Sequence, residues 1–307
     1  MKSESYILRA IVGPTASGKT NLALNLARSL PKVVLINADA FAVYRGMEIG
    51  TATPTESDLI GVDFRLLSFV TPTEDYSIGD YQNICKSTVL EVLRSNKLPI
   101  LVGGSALYVL SVLNDMNIPK SYPFIRKMLE IQLNDLGETY LYCQLLRLDP
   151  EAAKKIHPSN FRRLIRALEV TIGSNRKFSE YGPGVSKFTD DRSHDKILVL
   201  DPQGSDIAEN IKRRLDKQIE LGFIDEVKKL VAQYPRLSRT AIKAIGYREI
   251  MDMMKGDYNL EETKELIVQR TVKFSKRQNK WWKRDPRTIF VDPNKCSVQD
   301  IKLLLKL

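Results

Sequence analysis

Gly13-Pro14-Thr15-Ala16-Ser17-Gly18-Lys19-Thr20 is the stretch that decides the fold. It fits the pattern G-x-x-x-x-G-K-[ST] at every fixed position, and its flanks are the ones that pattern requires. Ile7 to Val12 is an apolar run that reads as a strand. Beyond it, Thr20 to Leu30 sets Leu22, Ala23, Leu26 and Leu30 at helical spacing. A glycine-rich turn at that junction aims backbone N–H groups and a helix N-terminus at one point, and Lys19 adds a full positive charge. Two or more linked phosphates fit there, and Thr20 is placed to hold a Mg²⁺ that bridges them. Nucleotide- and ATP-binding proteins use such a loop, but the motif itself specifies a diphosphate and not a nucleotide.

Downstream, the alternation of strand and helix continues. Val33 to Asn37 is a second buried-strand candidate ending at Ala38-Asp39-Ala40, and Leu98 to Val102 is a third, closed by Gly103-Gly104-Ser105. Between them, Tyr81 to Leu93 carries one apolar helical face, and another helix starts near Ala106. This order predicts an α/β fold: a P-loop NTPase-like parallel sheet flanked by helices, joined by right-handed crossovers. In such sheets ligands lie beyond the carboxyl ends of the strands, so Asp39 is expected beside the phosphate loop. There an acid holds Mg²⁺ or orients an acceptor; a helix N-cap is the plainer alternative. Ser105 either bonds substrate or caps the helix that follows.

From about Pro123 to Gly173 only helical periodicity is present, followed by a Gly-, Pro-, Ser- and Asp-rich loop from Gly182 to Asp195. Strand character returns at Lys196 to Leu200. Helices then run near Ile207–Glu220, Ile224–Tyr234, Thr240–Met254 and Leu260–Trp282, with an edge strand at Thr288–Val291. The predicted organisation is a catalytic core made of 1–115 and 196–307, interrupted by an all-helical insertion domain, 116–195.

Composition narrows the function classes. Of 307 residues, 47 are basic and 37 acidic, a net charge of +10 that hints at a polyanionic partner. Eight basic residues and one acid, Asp285, fall between Arg270 and Arg287, so that segment alone carries +7. On a helix, Arg270, Lys273, Arg277, Lys280 and Arg284 form one stripe about 20 Å long. Such a stripe repels itself unless an anion lies against it, and nucleic-acid backbone is the natural one. Arg162, Arg163 and Arg166 make a second patch in the insertion, and Arg213-Arg214 a third. Trp281 and Trp282 read as packing residues rather than base platforms. Three scattered cysteines, Cys85, Cys143 and Cys296, suit a reducing cytoplasm, and His157 and His194 are too few for a catalytic metal. No apolar run is long enough for a membrane span, and the first residues lack a signal-peptide core.

Together these residues resemble the tRNA dimethylallyltransferase (tRNA isopentenyltransferase) family. The resemblance lies in GPTASGKT (13–20), DAFAVYRGMEIGTA (39–52), GGSALY (103–108), IHPSNFRRLIRALEV (156–170), AIGYRE (244–249) and SKRQNKWW (275–282), nearly the whole chain in order. It implies an enzyme that uses the phosphate loop, Gly13, Pro14, Thr15, Ala16, Ser17, Gly18, Lys19 and Thr20, for dimethylallyl diphosphate instead of ATP. The dimethylallyl group would pass to N6 of the adenosine 3′ of the anticodon (position 37) in tRNAs reading codons that begin with U. The resemblance makes Asp39 the general base and puts Lys19, Thr20, Mg²⁺ and Arg214 on the leaving diphosphate, with Thr15 and Ser17 lining the donor site. It assigns contact with the tRNA anticodon stem-loop to Asp39, Ala40, Phe41, Ala42, Ser105, Arg126, Arg162, Arg163, Leu164, Ile165, Arg166, Lys243, Ala244, Ile245, Gly246, Tyr247 and Arg248. Arg277 and Lys280 of the basic stripe join that set. The expected protein is a cytoplasmic monomer. Many relatives read D-S-x-Q where this chain has Asp39-Ala40-Phe41-Ala42, and Ser105 stands for a commoner threonine. A small-molecule kinase with a phosphate loop, and a tRNA-binding relative with impaired catalysis, are the competing readings.

Overall fold

Short runs of β-branched and aliphatic residues become the strands of one sheet because helices cover both faces and leave no polar side to alternate with. In the computed structural model, which describes residues 7–182, 195–202 and 207–307, Val33–Asn37 is buried at all five positions. The first half of the chain runs β1 (Arg9–Val12), α1 (Lys19–Ser29), β2 (Val33–Asn37), α2 (Glu48–Thr51), β3 (Asp63–Arg65), α3 (Ile78–Arg94), β4 (Leu98–Gly103) and α4 (Ala106–Leu113). Then come α5 (Pro123–Leu148), α6 (Pro150–Ala153) and α7 (Phe161–Ser174). The rest is β5 (Lys196–Leu200), α8 (Ile207–Glu220), α9 (Phe223–Gln233), α10 (Tyr247–Met254), α11 (Leu260–Trp282), β6 (Thr288–Val291) and α12 (Val298–Leu305).

All the strand pairs are parallel, in the order β3-β2-β4-β1-β5-β6. β1 is therefore central, with Val12 opposite Gly103 on one side and Val199 on the other. After β1 the chain goes to β2, while β5 and β6 lie on the opposite side. That reversal makes the carboxyl end of β1 a crevice, where ligands bind in open parallel sheets. One face of the sheet packs Ile11, Leu35, Ile100, Val102, Leu198 and Leu200 against α1 and α12. Each such aliphatic side chain contributes roughly 1.5–3 kcal/mol on burial. α12 is held from outside the core as well: Arg9 donates to the carbonyls of Leu305 (2.7 Å) and Lys306 (3.0 Å).

The chain divides into two compact units, Met1–Asn114 with Thr189–Leu307, and Asp115–Phe188. The second unit has its own core, in which Leu129, Leu141 and Leu145 of α5 meet Leu164, Ile165 and Leu168 of α7. Its α5 breaks at Gly137, whose φ of 79° is left-handed. Residues 183–194 of the expected Gly182–Asp195 loop, His194 among them, lie outside the described residues.

Two readings from sequence need revision. The single helix expected over Thr240–Met254 is a 3₁₀ turn, Ala241–Lys243, followed by α10. Gly246 separates them at φ 103°, a backbone conformation that ends helical hydrogen bonding. β3 and α12 were not anticipated. Three residues give no readable period, but Ser297 and Asp300 form a capping box that does announce α12.

Candidate active site

The phosphate loop leaves β1 through Gly13 and enters α1 at Lys19. Two of its residues are left-handed, Ala16 at φ 65° and Gly18 at φ 80°. For alanine that conformation costs roughly 1 kcal/mol, which the surrounding structure must offset. Gly13 is required by space: a Cβ there would stand 2.7 Å from the Leu200 carbonyl oxygen and 2.8 Å from Ser17 Oγ. Ser17 is buried and its hydroxyl has no partner among the described residues, as expected of a group whose bonding partner is a ligand.

Asp39 follows β2 and is fixed by a residue that the sequence reading overlooked. Asn37, 2% exposed, brackets the Asp39 peptide. Its Oδ1 accepts from Asp39 N (3.0 Å), and its Nδ2 donates to the carbonyls of Asp39 (3.2 Å) and Leu66 (3.0 Å). The Asp39 carboxylate accepts from Phe41 N at 2.9 Å, which orients it. Gly103 brings β4 against this turn, since a Cβ there would lie 2.2 Å from the Ala38 carbonyl carbon. Ser105 does not cap α4 with its side chain, so the capping alternative falls away.

Lys19, Asp39 and Arg214 form one electrostatic group. Burial pushes the Lys19 ammonium down to about 8, with Asp39 opposing the shift and Arg214 adding to it. Burial also lowers the Arg214 guanidinium, and Asp39 again opposes. Lys19 Nζ donates to the Pro14 carbonyl (3.2 Å) and Arg214 to that of Thr51 (3.3 Å). Two basic groups face one carboxylate, a setting that favours an incoming anion.

Among the described residues, cavities of the first unit meet this group, and two of them matter here. A cleft of about 950 Å³ is lined by the loop from Ala16 to Thr20, the 48–56 segment, Arg214 and Lys217. A narrower cavity of about 70 Å³ is lined by Thr15, Asp39, Phe41 and Arg214 together with apolar groups, Phe223 and Ile267 among them. Ala244 and Ile245 line it too, so the structure brings the 243–248 segment to Asp39. The wall at Ile49–Thr51 is set by two further unanticipated residues. Gln218 donates to the carbonyls of Ile49 (2.6 Å) and Gly50 (2.9 Å), while the Glu226 carboxylate accepts from their N–H groups (2.7 and 3.0 Å).

Mg²⁺ fits this site in one way. Thr20, in the first turn of α1, keeps a hydroxyl with no hydrogen bond among the described residues. No cluster of three His, Cys, Asp or Glu among the described residues could cage a metal. One hydroxyl combined with phosphate oxygens and waters suits Mg²⁺, which seldom sits in an all-protein cage.

The expected nucleic-acid contacts divide into exposed and internal groups. Lys273, Arg277 and Lys280 are exposed along α11 and Arg284 just past its end, but Arg270 is paired with Glu249 and does not belong to the uncompensated stripe. Lys243 and Arg248 are exposed; Tyr247 is buried, its hydroxyl 2.7 Å from both the Met47 carbonyl oxygen and Glu226 Oε1. In the second unit Arg162 and Arg163 are exposed, whereas Leu164 and Ile165 are core. Arg126 and Arg166 both pair with buried Glu169 at 2.9 Å, so their charge is already used inside the unit. Trp282 is fully buried, in keeping with a packing role.

Comparison with known proteins gives the family. A family model described as IPP transferase matches residues 42–285. A tRNA dimethylallyltransferase of Streptomyces coelicolor is 39% identical over 283 residues, covering 91% of this chain and 88% of that protein. One from Halothermothrix orenii is 35% identical over 92% of this chain and 86% of its own length. The crystal structure of a tRNA isopentenylpyrophosphate transferase from Bacillus halodurans superposes with a TM-score of 0.68 at 33% identity, covering 98% and 96% of the two chains. The family match starts after the phosphate loop and Asp39, and the structure joins those residues to the matched part around one crevice. This chain belongs to the IPP transferase family.

Proposed function

We propose that the protein is a tRNA dimethylallyltransferase. It moves the dimethylallyl group of dimethylallyl diphosphate to N6 of the adenosine 3′ of the anticodon and releases diphosphate. The observation that carries this reading is the meeting of Asp39, Lys19 and Arg214 at the phosphate loop, where a cavity combines one carboxylate with apolar walls. A kinase needs neither those walls nor an exposed cationic helix.

The exocyclic amine of adenine is a weak nucleophile, because its lone pair is delocalised into the ring. Asp39 takes the N6 proton as N6 bonds to the first carbon of the dimethylallyl group, so no cationic amine accumulates. The carbon–oxygen bond breaks, and its electron pair leaves on the diphosphate. Lys19, Arg214 and the loop N–H groups stabilise that developing charge. Thr20 would hold Mg²⁺, which supplies further positive charge on the phosphate oxygens. Apolar walls limit water, which would otherwise capture the allylic carbon. The target base has to leave its stack to reach a cavity this narrow. Ser105, with its hydroxyl uncommitted to the helix cap, and the cations of α11 belong to the RNA side. The protein acts as a monomer in the cytoplasm.

Incubation with labelled dimethylallyl diphosphate, Mg²⁺ and unmodified tRNA, followed by nucleoside digestion, is expected to yield prenylated adenosine from tRNA and none from free AMP. Label on AMP alone would indicate an adenylate-type enzyme, and phosphate transfer from ATP would indicate a kinase.

A further inference from the structure

Gln278 is a buried polar residue of α11 that the reaction described above does not use. Its Oε1 accepts from the Thr15 N–H at 3.0 Å and from the Thr15 hydroxyl at 3.4 Å. Its Nε2 donates to the Gly104 carbonyl at 2.9 Å. A Cβ on Gly104 would stand 2.4 Å from that Nε2, so glycine is what lets the amide in. One side chain thus joins three segments: the phosphate loop, the Gly103-Gly104 turn leading to Ser105, and the basic helix.

We propose that Gln278 is a positioning residue that couples RNA on the exposed face of α11 to the shape of the phosphate loop, so that RNA and the donor's diphosphate bind cooperatively. The Thr15 N–H is committed to Gln278 and not to phosphate. The entry to the loop is therefore set from outside, by where α11 stands. The bond to Gly104 is buried and the two to Thr15 are partly buried, and such hydrogen bonds are costly to leave unmade. On the exposed side of the helix Lys273, Arg277 and Lys280, with Arg284 just past its end, repel one another until an anion lies against them. RNA relieves that repulsion and fixes the helix, and Gln278 carries the fixed position to Thr15. A ligand that orders the loop makes the second binding cheaper in entropy, and the coupling is reciprocal.

This inference rests on the proposed tRNA substrate, and its test separates the two. The affinity of the full chain for an unmodified anticodon stem-loop RNA is measured with and without saturating Mg²⁺-pyrophosphate. In the unaltered protein, pyrophosphate is expected to tighten RNA binding at least about fivefold. In Gln278→Leu the factor falls to about one, while each ligand alone binds within about threefold of normal. Gly104→Ala, which displaces the same amide from the other side, gives the same loss and decides the matter if Gln278→Leu melts at ambient temperature. Unchanged coupling in either folded variant, or a loss of more than about tenfold in affinity for one ligand alone, overturns the role given to Gln278. Absence of RNA binding by the unaltered protein overturns the proposed function itself, and the coupling with it.

Discussion

Burial holds the Lys19 ammonium near 8 in the absence of diphosphate, against 10.5 for an ordinary lysine. The unfolded chain binds the extra proton between those values, so this residue makes the protein less stable below about pH 8 and the deficit disappears as pH rises towards 10.5. A diphosphate beside the ammonium reverses the shift. Calorimetry of pyrophosphate binding at pH 9, in buffers of different ionisation enthalpy, should therefore show uptake of about one proton per site more than in Lys19→Arg, with almost no such difference at pH 6.5. Equal uptake by the two proteins at pH 9 would mean that Lys19 does not meet the anion. At this scale the sequence was partly transparent. Position at a strand end placed Asp39 beside the loop, whereas Arg214 came from family resemblance and not from spacing. Asn37 and Gln278 went unread because single polar residues inside apolar periods look like surface. The available signal was phase: Gln278 falls on the buried face with Ile267, Thr271, Ser275 and Trp282.

Among the elements, α11 does two jobs on two faces. Its buried face meets α4, α8 and α10, while its outer face carries the cations. On the proposed reading, replacing Arg277 and Lys280 together by alanine removes two phosphate contacts. The slope of log affinity for tRNA against log salt should become shallower by about 1.5–2. An unchanged slope would show that this face of the helix does not meet RNA. The helix was legible to its ends from period and charge, since Leu260–Trp282 is both the expected and the observed span. The 240–254 stretch was not, because a glycine at φ 103° is compatible with helical periodicity on both sides of it. Patches were also legible more easily than their use. Arg162 and Arg166 are alike in sequence, yet one is exposed and the other is bonded to Glu169.

For the molecule as a whole, the parallel sheet followed from alternating strands and helices, and the crevice followed from the order of the strands. The second unit adds a different kind of contact to its leucine core. Glu169, 1% exposed, accepts from Arg126, Arg166 and the Tyr122 N–H. Glu169→Leu strands two partly solvated arginines and one amide, and should destabilise that unit by about 2–3 kcal/mol in hydrogen exchange of α5 and α7. Unaltered exchange there would mean that the network adds nothing beyond the leucine core. Whole-molecule chemistry is tested most directly by single-turnover transfer from dimethylallyl diphosphate to bound tRNA in Asp39→Ala. Loss of transfer by a factor of about 10² to 10⁴, with tRNA affinity nearly unchanged, is the predicted result; transfer at the normal rate would contradict it.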